Sequence, residues 1–240
     1  SQLLPTELDT IVTTAKANGV PVWAEIRRDE DVAIALNAGV DGLLGLGTGT
    51  QPAWPEAALD AVRTRAARGT PVPWTLGASA LTNYEWLLSN REPLDDARWH
   101  EGLPAIVVAD LVSSLANPSA MTWYEYGATR RPQLAARIRA LRAAGAKLLV
   151  GSDAGVPAHI PSRATWQEVE ALVVEGGLTP MEAIVAATSE AATLLGVQHE
   201  TGTLTPGKYA DLIVVRGDPL RHIDRLQDLE VVMRRGLRVR

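Results

Sequence analysis

Cysteine is absent from this 240-residue chain, and so is phenylalanine, leaving aromatic packing to seven tryptophans and four tyrosines. The missing thiols exclude disulfides, thiolate nucleophiles and cysteine-bound zinc, and they fit a cytoplasmic protein. Histidine is scarce: His100, His159, His199 and His222 are the whole set, and no two of them form a His-x-His pair. No apolar run approaches the roughly 20 residues that span a bilayer, and no basic-then-apolar leader opens the chain. Neither a membrane nor secretion is therefore expected. Positive charge is in deficit, with 23 Lys and Arg against 28 Asp and Glu, a net charge of −5. That leaves no basic footprint for nucleic acid. The first residue is Ser1 rather than Met, which suggests a processed or incomplete start.

What is present is an alternation of helix and strand patterns. Leu8, Ile11, Val12 and Ala15 recur at helical spacing, between a Pro5-Thr6 start and an Asn18-Gly19 stop. Strand 20–26, helix 29–37 and strand 42–46 follow. A helix over 55–68 has Pro55 in its first turn and Gly69 after its end. Strand 72–76 comes next, and then a long insertion, 77–145. Within it, 79–89 reads as helix, 90–104 as turns, 106–115 as an apolar helix and 131–144 as an amphipathic helix. Strand 147–151 is apolar and leads into helices 166–175 and 180–195, the second capped by Thr179-Pro180 with Glu182. The tail changes to short strands, 202–204, 210–215 and 231–239, separated by Pro-Gly and Arg-Gly turns.

Chemistry-bearing residues cluster at strand ends. Asp153 follows the strand 147–151 and is flanked by Gly151-Ser152 and Ala154-Gly155. A carboxylate at the carboxyl end of a buried parallel strand is where a barrel presents a catalytic group; the alternative is a helix cap or loop brace. Glu25 ends the strand 20–26 and is either a site carboxylate or the rim partner of Arg27 or Arg28. His159, six residues beyond Asp153, is either a substrate-binding or proton-carrying group or a solvent-facing loop residue. Gly45-Leu46-Gly47-Thr48-Gly49-Thr50 lacks the Gly-Lys-Thr ending of a phosphate loop and reads as a flexible loop, although its backbone N–H groups suit an anion. Tyr84, Trp86, Trp99, His100, Trp123, Tyr124 and Tyr126 fall in the insertion, where they would line a pocket or pack a core.

Three stretches, GSDAGVP at 151–157, GLTPMEAIVAATSEAATLLGV at 177–197 and TGTLTPGKYADLIVV at 201–215, taken together resemble the C-terminal part of the amidohydrolase superfamily, in its imidazolonepropionase-like and prolidase-like branch. The similarity extends back to about Leu4. It implies an α/β fold: the C-terminal half of a TIM-type (β/α)8 barrel over 1–198, with strands matching the fifth to the eighth, and part of a small β-sandwich over 199–240. It implies hydrolysis of a small-molecule amide or cyclic C–N bond, other than a peptide bond, by a metal-activated water. Asp153 matches the last-strand Asp that binds metal and moves the proton. Glu25 and Gly45 stand where the family has metal-binding histidines on the fifth and sixth strands. The expectation is therefore at most one divalent metal, zinc or manganese, touching Asp153, or none. Without metal, Asp153, Glu25 and His159 would run acid–base chemistry such as cyclisation, dehydration or isomerisation; a third expectation is a non-catalytic partner subunit. A four-stranded half barrel has open edges, so a missing N-terminal half or another chain is expected to complete it.

Overall fold

The computed structural model of the chain describes residues 3–47, 49, 51–82, 102–116, 127, 129–155 and 159–240. The expected helix 79–89 beyond residue 82, most of the turn-rich 90–104, and the insertion's aromatics and His100 lie outside these residues. Among those described, α1 (Pro5–Ala17), β1 (Trp23–Glu25), α2 (Asp31–Ala38), β2 (Gly42–Leu44), α3 (Glu56–Ala67) and β3 (Pro73–Thr75) alternate in chain order. After α4 (Ala105–Ala116) come a 3-10 turn (Arg131–Gln133), α5 (Leu134–Ala143) and β4 (Lys147–Leu149). The chain continues through α6 (Pro161–Val174), α7 (Pro180–Ala187) and α8 (Ser189–Leu194) to β5 (Leu212–Val215), a second 3-10 segment (Ile223–Gln227), β6 (Leu229–Arg234) and β7 (Leu237–Arg238).

The first four strands form one parallel sheet in the order β1-β2-β3-β4. Its register places Leu43 opposite Trp74 and Trp74 opposite Leu148. These residues share one face, which the helices bury. Side chains alternate across a strand, so Glu25, Leu44 and Thr75, in register with one another, point to the opposite face. There Glu25 is exposed and Leu44 is 37% exposed. Leu149, in register with Thr75 on this face, is 1% exposed, so the face is open at β1 and β2 and covered at β4. The last three strands form a separate antiparallel sheet, β5-β6-β7. Ile223, between β5 and β6, is buried in the main core, and its 3-10 segment packs on α6.

Local sequence explains most boundaries. Thr179 caps α7: its hydroxyl accepts the Glu182 N–H at 3.2 Å, and the Glu182 carboxylate accepts the Thr179 N–H at 2.7 Å, a reciprocal box. α6 begins at Pro161, five residues before the expected start, because proline is suited to a first turn where its missing N–H costs nothing. The expected single helix 180–195 is broken at Thr188, whose φ −125 and ψ −90 leave the helical region. The stretch 202–204 forms bends rather than a strand. The expected strand 231–239 is folded into the β6–β7 hairpin by Arg235 and Gly236, both at positive φ. No helix among the described residues is long and apolar enough to cross a membrane.

One buried ion pair ties the loops at the carboxyl ends of β1 and β2 to α5. Arg137, 2% exposed, forks onto Asp29 with contacts of 2.7 and 2.9 Å. The same two terminal nitrogens also reach the carbonyls of Leu46 and Gln51, each at 3.2 Å, while Nε has no hydrogen bond among the described residues. Trp54 covers the guanidinium at 3.8 Å and donates its own N–H to the Arg137 carbonyl. Gly47 must be glycine here: it has φ +65, and a Cβ would run into the Asp29 carboxylate. Removing one partner of such a pair leaves an uncompensated buried charge. Arg137→Met is expected to lower stability by about 3–5 kcal/mol, and the double variant Asp29→Leu/Arg137→Met to recover a large part of that loss. Urea unfolding of the two variants beside the wild type checks both values.

Candidate functional site

Because β1 to β4 run parallel, their carboxyl ends share one end of the sheet. Glu25 closes β1, Gly45 follows β2, Gly77 follows β3, and Asp153 lies four residues beyond β4. The backbone stays paired past the strands: the Gly45 N–H bonds the Thr75 carbonyl at 2.8 Å, and the Gly77 N–H bonds the Gly151 carbonyl at 3.2 Å. Glu25 and Asp153 belong to the two outer strands. Three strand spacings separate these strands, about 14 Å measured along the sheet. The structure does not bring the two carboxylates together through any shared contact among the described residues.

Each position has its own surroundings. The Glu25 side chain is 63% exposed, and its Oε1 lies 3.4 Å from Arg27 Nε, an exposed pair of small energetic weight. Gly45 offers no side chain, and its carbonyl is taken by the Trp74 indole N–H at 2.7 Å. Asp153 is exposed and adopts φ 51. That left-handed conformation disfavours most side chains, and Asp and Asn are among the few that tolerate it. Gly77 packs beside it, close enough that a Cβ there would lie 3.4 Å from the Asp153 Cβ.

His159 is 2% exposed, so its ring lies inside the protein rather than in solvent. Its Nε2 is 3.0 Å from Ser79 Oγ. Ser79 is fully buried at the start of the helical turn 78–82 that follows β3. The Ser79 backbone N–H donates to Glu168 Oε2 at 2.7 Å, and the Ala78 N–H to Oε1 at 3.2 Å. Burial holds the His159 ring below the usual imidazole range, and the backbone and charge of Asp153 pull the other way by less. Burial likewise raises the Glu168 carboxyl, against the opposing pull of Ser79 and of the Ala78 and Gly77 N–H groups. Neither Ser79 nor Glu168 is apparent as a site residue in the sequence. The signal for Glu168 is its place on the apolar face of α6, four residues after Ala164 and four before Leu172, both buried.

Among the described residues the donors do not add up to a metal cage. Among the described residues no group of three or more His, Asp or Glu side chains is placed to hold an ion. His159 Nε2 is engaged by Ser79, Gly45 has no donor side chain, and Glu25 faces solvent beside Arg27.

The chain matches the Amidohydrolase family over residues 3–239, and it belongs to that family. An imidazolonepropionase of Ralstonia nicotianae is 34% identical over 158 residues, covering 65% of this chain and 34% of that protein. An ochratoxinase of Aspergillus niger is 37% identical over 90 residues, 37% of this chain and 18% of that one. In three dimensions the chain resembles a Xaa-Pro dipeptidase crystallised with methionine in its active site, with TM-score 0.68 and 27% identity. That match covers 99% of this chain and 49% of the dipeptidase. The chain thus spans about half the length of that enzyme.

The Glu168 carboxyl gives the site a pH signature. Its folded pKa lies above the ordinary 4.5, so from pH 4.5 upward the folded state holds a proton that the unfolded state has released. Stability from this group is then present below pH 4.5 and falls as pH rises toward the folded pKa. Glu168→Gln should remove that fall, leaving a flatter stability profile above pH 4.5 than the wild type. Urea midpoints measured across pH 4.5–8 for both proteins test this.

Proposed function

We propose that this chain is the C-terminal half of an amidohydrolase-type (β/α)8 barrel, contributing to hydrolysis of an amide or cyclic C–N bond, other than a peptide bond, in a small molecule. The observation that carries the reading is Asp153, exposed at the carboxyl end of β4 in a chain whose family membership is established. In this reading Asp153 takes a proton as water attacks the carbonyl carbon. It returns the proton to the nitrogen as the C–N bond breaks, so the carboxylate is regenerated. Asp153 is also the residue of this chain that would touch a divalent metal, zinc or manganese. Glu25 and Gly45, at the positions matched to histidines, supply no matching donor set, and no step is assigned to a metal here.

The open faces fit this reading. β1 and β4 are the outer strands of a sheet whose second face is open at β1 and β2, and bare strand edges are a liability that proteins cover. The N-terminal half of the same protein, or another chain, is the proposed cover. The 1–198 and 199–240 portions then correspond to the barrel and to part of the β-sandwich beside it. A second reading is favoured by Glu25 itself: a carboxylate in place of a ligand histidine suits metal-free acid–base chemistry, a cyclisation, dehydration or isomerisation shared by Glu25 and Asp153. A non-catalytic partner subunit is a third.

Asp153→Asn separates these readings. Asparagine tolerates the same left-handed backbone, so thermal stability should stay near wild type. Turnover of an N-acyl or cyclic amide substrate should fall on the order of 10²–10⁴-fold. Glu25→Gln should change turnover little under the hydrolytic reading and comparably under the metal-free one. An active Asp153→Asn beside a dead Glu25→Gln rules out the hydrolytic reading; two active variants point to the non-catalytic subunit.

A further inference from the structure

Two enclosed donors beside the loop after β2 have no acceptor. Arg137 commits its terminal nitrogens to Asp29, Leu46 and Gln51, but its Nε is buried and makes no hydrogen bond. Arg130 Nε is buried and unbonded in the same way. Both arginines line one cavity of about 10 Å³, room for about one water-sized occupant. The rest of its wall is Leu46 and Gly49 from the loop after β2, Leu81 from the turn after β3, and Leu134 at the start of α5. Gly49 lets the Arg130 side chain lie against the loop. It has φ +60, and a Cβ there would stand 3.1 Å from Arg130 Nε and 3.4 Å from its Cγ.

A buried donor without an acceptor is costly, the more so on a charged group. Two of them around one cavity call for an occupant that accepts. Water suits the place poorly: it must donate two hydrogen bonds as well as accept, and three leucines and a glycine offer its hydrogens little. An anion only accepts, and a guanidinium only donates. The charges agree. Among the described residues Arg130 has no ion pair, and Arg137 already forks the nearby Asp29, so two guanidinia stand here against one carboxylate. Burial, and next the charge of Arg137, hold the Arg130 guanidinium below the ordinary arginine range against the pull of Asp29. We propose that Arg130, Arg137 and Gly49 form a binding site for a single small monovalent anion, filled by chloride or by one oxygen of a small molecule's carboxylate. The occupant neutralises Arg130 and completes the rim that the Arg137–Asp29 pair braces. Charge-assisted bonds from a guanidinium to an anion are among the stronger contacts available for this.

The test is urea unfolding of the full chain in rising sodium chloride and, separately, rising sodium acetate, with chlorine-35 NMR line widths of the chloride series. A ligand that binds only the folded state raises the midpoint in step with its occupancy. The wild-type midpoint should rise and level off with at least one of the two salts. Arg130→Met, which keeps the stem and removes the charge and the Nε–H, should weaken that response about tenfold or more, as loss of a charge-assisted hydrogen bond implies. Arg130→Lys keeps the charge without the fork and should fall between the two; it carries the comparison if Arg130→Met does not fold. A rise with chloride, accompanied by saturable broadening of the chloride line, identifies a halide site. A rise with acetate alone, or acetate that narrows the chloride line, identifies a carboxylate as occupant. Asp153→Asn should respond as the wild type does, so this site is judged apart from the proposed hydrolysis. Midpoints that move equally with both salts in wild type and Arg130→Met, or that level off with neither, would overturn the proposal and assign the cavity to water.

Discussion

The carboxyl end of the parallel sheet depends on the Arg137–Asp29 ion pair. Strand ends alone do not place functional groups; the loops beyond them do, and loops need anchors. One guanidinium here collects the Asp29 carboxylate after β1, the Leu46 and Gln51 carbonyls after β2, and the face of Trp54. Trp54 in turn packs against Trp74, ring centres 5.5 Å apart, and Trp74 holds the Gly45 carbonyl. Glu25 and Gly45, which the proposed reading matches to ligand histidines, thus lie on a braced rim. A second buried set, Glu168, Ser79 and His159, ties the turn after β3 to α6 and to the loop after β4.

Much of the frame was legible in the sequence. Short apolar runs ending in glycine or a carboxylate marked all four parallel strands, because strand periodicity and turn residues are local signals. Thr179-Pro180 with Glu182 announced its own cap. Asp153 stood out as an acid flanked by small residues after an apolar strand, a pattern that suits a site carboxylate or a loop brace. The similarity to amidohydrolases agreed with the family the chain matches over residues 3–239.

The rest was hidden because it is made by tertiary contact. Arg137 and Asp29 are 108 residues apart, and each alone reads as a surface charge. Glu168 sits in a helix rich in polar residues, where an acid is ordinarily solvated; its spacing from Ala164 and Leu172 hints at burial, but only packing reveals that it holds the turn after β3. His159 read equally as a mouth residue or a loop residue, while the structure encloses its ring. The break at Thr188 and the bends at 202–204 are likewise choices of packing over propensity, since both stretches have patterns that continue the element.

In the proposed reading the site is a family site with part of its donor set replaced: the last-strand carboxylate is Asp153, and the two positions matched to histidines carry an exposed glutamate, Glu25, and a glycine, Gly45. The most direct measurement of that account is metal content. The full chain would be purified with excess zinc or manganese, dialysed and analysed by elemental mass spectrometry beside Asp153→Asn. At most one equivalent per chain is predicted, weakly held and lost in Asp153→Asn. Two tightly retained equivalents, surviving dialysis, would contradict it and show that other ligands stand in for the missing histidines.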